Sequence, residues 1–73
     1  MGSMKPVTEH QRATMLDLRR RLVKIAAPVG SMHSYWDDIS EIDGRLNGGY
    51  VMLEDYDHDQ FISMLEKQLV SEG

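Results

Sequence analysis

The sequence has no cysteine, only two prolines and no long apolar run. Without cysteine, neither a disulfide nor a thiolate zinc site is available to stabilise so short a chain. No apolar run approaches the roughly 18–20 residues that a transmembrane helix requires. The N-terminus also lacks the apolar core of a secretory signal peptide. We therefore expect a cytoplasmic, soluble protein that does not span a membrane.

The chain is short enough to limit its organisation. Residues 1–3, which precede a second methionine at Met4, look like a cloning remnant, and residues 4–73 suffice for one domain only. Hydrophobic residues make up 41% of the sequence, which is typical of a globular and not of a disordered chain. So small a core rarely provides more than about 3–5 kcal/mol of net stability. We therefore expect additional stability from oligomerisation or from docking onto a partner.

Three segments carry apolar residues at helical spacing, which predicts an all-α domain. The stripe of the first segment consists of Met15, Leu18, Leu22, Ile25 and Val29. The second consists of Tyr35, Ile39, Ile42 and Leu46, and the third of Phe61, Ile62, Met64, Leu65, Leu69 and Val70. The predicted helices span about residues 8–27, 35–46 and 58–71. The result is a three-helix domain with a long helix 1 and two shorter helices.

Capping residues support these boundaries. Thr8 and Gln11 have the spacing of a capping box at the start of helix 1, and Pro28 should end that helix. Ser34 is predicted to cap helix 2, which the sequence Asn47-Gly48-Gly49 should terminate. Asp57 and Gln60 repeat the capping spacing before helix 3. The intervening apolar run, residues 50–53, fits either an extended segment or an isolated β-bridge.

The predicted lengths also indicate self-association. Helix 1 is longer than its two partners, so a compact trio would leave one of its ends uncovered. We therefore predict a helical homodimer. Its seam would lie along helix 1 at Met15, Leu18, Leu22 and Ile25.

Charge is distributed unevenly along the chain. Residues 1–33 carry six lysines and arginines against two acidic residues, whereas residues 34–73 carry two against ten, for a net charge of −4. A basic helix surface can bind phosphates. The residues that would form it are Arg12, Arg19, Arg20, Arg21 and Lys24. They support an alternative hypothesis of nucleic-acid binding, although the same charges can also pair with the acidic helices.

Residues 55–66 contain five side chains that could donate oxygen ligands to a metal ion. The donors are Asp55, Asp57, Asp59, Ser63 and Glu66, with Ile62 at an apolar position. Over these twelve residues the chain resembles the calcium loop of the EF-hand family. The resemblance implies that the five side chains would bind Ca²⁺. Gln60, however, stands where the family has its turn glycine, and the alternative is that the aspartates cap helix 3.

Motifs for catalysis are missing. The serines have no paired base or glycine-rich turn, and the glycines do not form a phosphate-binding pattern. His10, His33 and His58 are widely spaced, and we expect them to be solvated. The sequence therefore predicts no enzymatic activity, no cofactor and no metal site.

Aromatic residues within the acidic half favour a protein partner, because tyrosine and tryptophan often anchor interfaces. The predicted docking residues are Tyr35, Trp36, Asp37, Asp38, Tyr50 and Tyr56, and Trp36 is the best single candidate for an anchor. The favoured hypothesis is a small non-catalytic regulator or inhibitor, of the kind found among phage accessory proteins, that docks onto another protein. The alternative is a nucleic-acid-associated, repressor-like or antitoxin-like regulator that uses residues 19–21.

Overall fold

A computed structural model describes residues 5–72 of the chain. Three α-helices follow one another: α1 (Glu9–Ala26), α2 (Tyr35–Asn47) and α3 (His58–Glu72). The predicted all-α, three-helix fold is confirmed, with each boundary within a residue of its expected position. The prediction that residues 1–3 are a cloning remnant lies outside the described residues. None of the described helices is both long and apolar enough to span a membrane.

Two of the three predicted N-terminal caps are present. The Thr8 hydroxyl accepts from the Gln11 backbone N–H at 3.1 Å, and the Gln11 side chain accepts from the Thr8 N–H at 3.0 Å. Asp57 and Gln60 exchange the equivalent bonds before α3. The Ser34 prediction was wrong, because Ser34 has helical dihedral angles and its side chain makes no capping bond.

A histidine side chain, and not Ser34, accepts a backbone hydrogen bond at the start of α2. The Nδ1 atom of His33 accepts from the Tyr35 backbone N–H at 3.1 Å. At the other end of α2, Gly48 adopts the left-handed conformation with φ 71°, as the sequence predicted. The glycine reverses the chain into an irregular segment, residues 48–57, which we call the α2–α3 loop. Within it, the apolar run 50–53 forms no β-bridge.

The core is organised around α1, which packs against both other helices. Its buried apolar residues are Met15, Leu18, Leu22, Ala26, Tyr35, Ile39, Ile42, Phe61, Ile62, Leu65 and Leu69. The predicted dimer seam therefore needs correction. Met15, Leu18 and Leu22 are at most 2% exposed within the single chain, and Ile25 is half-buried against the same core. Three of the four seam residues are used for folding, and a second copy could reach them only if the core opened.

Candidate functional site

Three charged or polar side chains are buried together where α2 meets the start of α3. They are Glu41, Arg45 and His58, each at most 5% exposed, and we call them the polar junction. Glu41 and Arg45 lie one helical turn apart on α2, and the Arg45 Nε donates to the Glu41 Oε2 at 3.2 Å. Burying such a pair is unfavourable unless its remaining donors and acceptors find partners.

Arg45 finds most of its partners in the α2–α3 loop. Its Nη2 donates to the backbone carbonyls of Leu53 at 2.7 Å and of Tyr56 at 3.0 Å. Its guanidinium carbon lies 4.5 Å from the centre of the Phe61 ring, which is within range of a cation–π interaction. One buried arginine therefore joins the loop to α2 and α3.

Glu41 binds the same loop through its other lone pairs. Its Oε1 accepts from the backbone N–H of Met52 at 2.8 Å, and its Oε2 accepts from that of Leu53 at 3.2 Å. The Glu41 carboxylate thus accepts the backbone hydrogen bonds that the carbonyls of a neighbouring strand would accept in a sheet. Because these N–H groups are satisfied by a side chain, the segment can be extended without belonging to a sheet.

His58 completes the junction and attaches the N-terminal segment. Its Nε2 lies 2.6 Å from the backbone carbonyl of Lys5, and its Nδ1 lies 3.0 Å from the Nη1 of Arg45. A carbonyl only accepts and a guanidinium only donates, so the bonding pattern assigns the hydrogen to Nε2 and the lone pair to Nδ1. Throughout residues 5–72, every buried side-chain nitrogen and oxygen has a partner.

The polar junction fixes the backbone of a loop whose large side chains point into solvent. Tyr50 is 78% exposed, Met52 is 54% exposed and Tyr56 is 42% exposed. These are the largest apolar side chains of the loop. A loop with a fixed backbone and exposed aromatic side chains can present them to a partner without first becoming ordered.

The predicted docking residues fall into two groups. Tyr50 and Tyr56 lie on the surface, as expected for anchors. Tyr35 does not, since it is 6% exposed and its hydroxyl donates to Glu72 Oε2 at 2.7 Å. Trp36 is half-buried, and its indole N–H donates to the Gly30 carbonyl at 2.8 Å. The helical spacing had already placed Tyr35 on the apolar face of helix 2, and Tyr35 packs in the core.

Asp37 and Asp38 differ although they are neighbours. Asp37 is exposed, whereas Asp38 is half-buried. Burial, followed by repulsion from Asp37 and Glu41, raises the pKa of the Asp38 carboxyl. The two aspartates belong to the start of α2, and the α2–α3 loop follows the opposite end of that helix. The structure therefore separates the predicted docking residues into a helix-start group and a loop group.

The predicted basic strip is largely paired within the chain. Arg19 makes two bonds to the Asp43 carboxylate, which raise the pKa of its guanidinium. Arg20 and Arg21 both lie within ion-pair distance of Asp17. The remaining members, Arg12 and Lys24, are exposed. Because three of the five cations already face carboxylates, the strip offers less positive charge to phosphates than its sequence suggested.

The resemblance to a calcium loop does not extend to its geometry. Helix α3 begins at His58, so residues 59, 63 and 66 lie along a helix instead of turning around a common centre. Asp57 caps that helix, and Asp59 accepts from the Gln11 side chain at 3.0 Å. Within residues 5–72, no group of three or more acidic or histidine side chains is placed to hold a metal ion.

The polar junction was missed in the sequence because its members look like surface residues. His58 was expected to be solvated and is buried, and His33 is half-buried, so only His10 lies on the surface as predicted. One signal was available: Gly44 lies in the interior of α2, where glycine costs about 1 kcal/mol relative to alanine and so indicates a packing constraint. Glu41 and Arg45 flank that glycine.

Comparison of the chain with protein-family models, with curated protein sequences and with solved structures finds no match in any of the three.

Proposed function

We propose that this chain is a small, non-catalytic protein-binding regulator or inhibitor that docks onto a partner protein through the α2–α3 loop. The observation that supports the proposal is the combination of exposed Tyr50, Met52 and Tyr56 with a backbone held by the buried Glu41 and Arg45.

The polar junction is not explained by its contribution to stability alone. Replacing a buried ion pair by apolar residues of similar volume is often neutral or stabilising, because desolvation of the charges offsets their attraction. Most hydrogen bonds of the Glu41–Arg45 pair are made to the backbone of the loop. Its clearest effect is to order an irregular segment, and a preordered segment loses less conformational entropy when it binds.

The exposed side chains of the loop suit an interface. Isolated apolar residues are normal on protein surfaces and need no explanation. Here, however, three large ones occur within seven consecutive residues of a fixed segment. Tyrosine and methionine are enriched where proteins meet, since the first combines area with a hydroxyl and the second adapts its shape. Acidic residues surround them, at Glu54 and Asp55, and would form the polar rim.

The proposal is tested by quantitative capture. The tagged chain is incubated with lysate of its source cells, with and without nuclease, and bound proteins are measured by mass spectrometry. The double variant Tyr50→Ala/Met52→Ala should lose the captured protein by about tenfold or more, as expected when interface anchors are truncated. The control Leu16→Ala/Val70→Ala removes two exposed apolar side chains elsewhere and should leave capture unchanged.

Helical circular dichroism of both double variants should match that of the parent chain, because none of the four positions is buried. Equal capture by the loop variant and the parent would contradict the proposal. Capture that disappears with nuclease would instead favour the alternative, a nucleic-acid-associated regulator. In that case the substitutions Arg19→Gln, Arg20→Gln and Arg21→Gln should abolish a salt-sensitive gel shift.

A further inference from the structure

A cleft of about 670 Å³ lies beside the α2–α3 loop. The N-terminal segment before α1 forms one wall, and the end of α2 with the start of the loop forms the other. Its apolar lining consists of Pro6, Val7, Leu46, Tyr50 and Val51. We call it the N-terminal cleft. Its volume falls within the range of about 300–1,000 Å³ that is common for binding pockets.

Glycines give the cleft its shape. At Gly44 the loop crosses α2 so closely that a Cβ would lie 2.2 Å from the Tyr50 carbonyl oxygen. Gly48 and Gly49 also line the cleft and carry no side chain to fill it. The polar junction holds the loop that forms the far wall. The cleft is therefore a half-open groove that is bordered by backbone and not filled by side chains.

The charge of the cleft is set by Arg12 and Lys5. Among the arginines of residues 5–72, Arg12 alone has no carboxylate within ion-pair distance, whereas the other four are paired. Its one hydrogen bond to the protein runs from Nη2 to the Leu46 carbonyl at 3.2 Å. Its other donors are free for a ligand. Glu54 is the one acidic residue of the lining, and Lys5 also lines a neighbouring groove with Asp55, Asp57 and Asp59, so Arg12 is the cation most available to a ligand.

We propose that the N-terminal cleft binds a segment of the partner protein in which an apolar side chain adjoins a carboxylate. The apolar side chain packs between Val7, Leu46 and Val51, and the carboxylate accepts from the guanidinium of Arg12. Arginine suits this role because its fork of donors matches both oxygens of a carboxylate. The inference rests on the proposed docking function, since Tyr50 belongs to both the loop surface and the cleft.

The net charge of −4 does not prevent an acidic segment from binding here. At physiological ionic strength, exposed charges are largely screened beyond about 8 Å. A carboxylate in the cleft would therefore respond mainly to Arg12, Lys5 and Glu54, which line it, and not to the acidic residues at the start of α2. Its affinity should fall as salt rises, because the Arg12 side chain is exposed to solvent.

Capped dipeptides test the cleft directly. The probe acetyl-Leu-Asp-amide carries the proposed pair of groups, and acetyl-Leu-Asn-amide is its neutral isostere. Each is titrated into the ¹⁵N-labelled full chain and followed by amide chemical shifts. The aspartate probe should bind with a dissociation constant on the order of 1 mM, as expected for so small a ligand. Loss of the charge-assisted bond should weaken the asparagine probe by about tenfold.

Shift changes should map to the amides of Val7, Leu46 and Val51. Arg12→Gln should abolish the preference for aspartate over asparagine, and Arg20→Gln, which removes an exposed arginine on the same helix, should retain it. Equal binding of the two probes, shifts confined to other surfaces or a preference that survives in Arg12→Gln would each overturn the inference.

The two proposals fail separately. If the aspartate probe is not preferred while the Tyr50→Ala/Met52→Ala variant still loses its captured protein, the cleft proposal is wrong and the docking function stands. If the probe binds as expected while that variant captures as well as the parent, the cleft is a peptide site and the loop is not the docking surface.

Discussion

The apolar core around α1 and the polar junction beneath the α2–α3 loop stabilise the protein in different ways. The core joins three helices through side chains such as Leu22 and Phe61, which are fully buried and need no particular partner. The junction joins α2 to an irregular segment through directed hydrogen bonds from Glu41 and Arg45. Dispersion and burial tolerate small rearrangements, whereas a network of charged groups does not.

The core and the polar junction also differ in what depends on them, the fold in one case and the two proposals in the other. The core joins the three helices, and the half-buried Leu53 of the loop packs against it. The junction places Tyr50, Met52 and the far wall of the N-terminal cleft, and both proposals depend on these features. We therefore expect changes in the core to act on the whole domain and changes in the junction to act first on the loop.

The largest effect is expected from Arg45→Met. The substitution leaves the Glu41 carboxylate buried without its cation, which should lower the free energy of unfolding by about 3–5 kcal/mol. Urea denaturation followed by circular dichroism measures the loss. Leu22→Ala, in the apolar core, should lower it by a similar amount of about 2–5 kcal/mol. Arg19→Gln, which breaks the half-exposed ion pair with Asp43, should cost about 1 kcal/mol.

The double variant Glu41→Leu/Arg45→Met distinguishes the two regions. Removing both charges together should restore much of the lost free energy, because no buried charge remains unpaired. The loop should nevertheless lose its order, and the amides of Met52 and Leu53 should exchange with solvent far faster than in the parent chain. If the double variant keeps these amides protected, the junction does not fix the loop and the comparison fails.

The same comparison explains which parts of the structure the sequence could predict. The periodicity of Met15, Leu18 and Leu22 identified the core face of α1, and the Thr8–Gln11 pair identified its start. The cap depends on contacts between residues close in sequence. The core face depends on burial, which the helical spacing of apolar residues indicates directly. The sequence could not show that the stripe is satisfied within one chain, and the prediction therefore placed the same residues in a dimer seam.

The polar junction could not be predicted, because its partners are backbone atoms of a loop without periodic structure. Glu41 and Arg45 have the spacing of a common exposed ion pair on a helix, and nothing local distinguishes a buried pair from a solvated one. His58 follows three acidic residues, which favoured an exposed position. The sequence predicted Tyr50 and Tyr56 as docking residues, and both are exposed, but the contacts that hold their backbone in place are distant in sequence.

A moderate effect is expected from Gly44→Ala, at the contact between the loop and α2. A Cβ there would lie 2.2 Å from the Tyr50 carbonyl oxygen and 3.0 Å from Val51 Cγ1. The loop backbone must move, which should cost about 1–3 kcal/mol by overpacking and so outweigh the gain in helix propensity of about 1 kcal/mol. Differential scanning calorimetry should show a lower melting temperature, and NMR of the ¹⁵N-labelled chain should show amide shift changes centred on residues 50–53.

Ser40→Ala is the matched control for that substitution. Ser40 is exposed on the same helix, so alanine there should raise helix propensity without touching the loop. We expect its melting temperature to equal or slightly exceed that of the parent chain. A Gly44→Ala variant that is as stable as Ser40→Ala would mean that the loop does not lie against α2 as described.

The smallest effect at neutral pH, and the clearest at alkaline pH, is expected from Tyr35 in the core. Burial, together with the hydrogen bond that its hydroxyl donates to Glu72, raises its pKa from 10.0 to about 12. A raised folded-state pKa means that the unfolded chain releases this proton first. The associated stability is complete below pH 10 and is lost as pH rises through about 12.

Tyr35→Phe removes the titrating group and keeps the ring in the core. Its free energy of unfolding should therefore fall less steeply than that of the parent between pH 10 and 12, the interval between the two pKa values. The phenolate absorbance that the variant lacks should appear in the parent with a midpoint near pH 12. If that midpoint lies near pH 10, the Tyr35 hydroxyl is solvated and does not make the described hydrogen bond to Glu72 of α3.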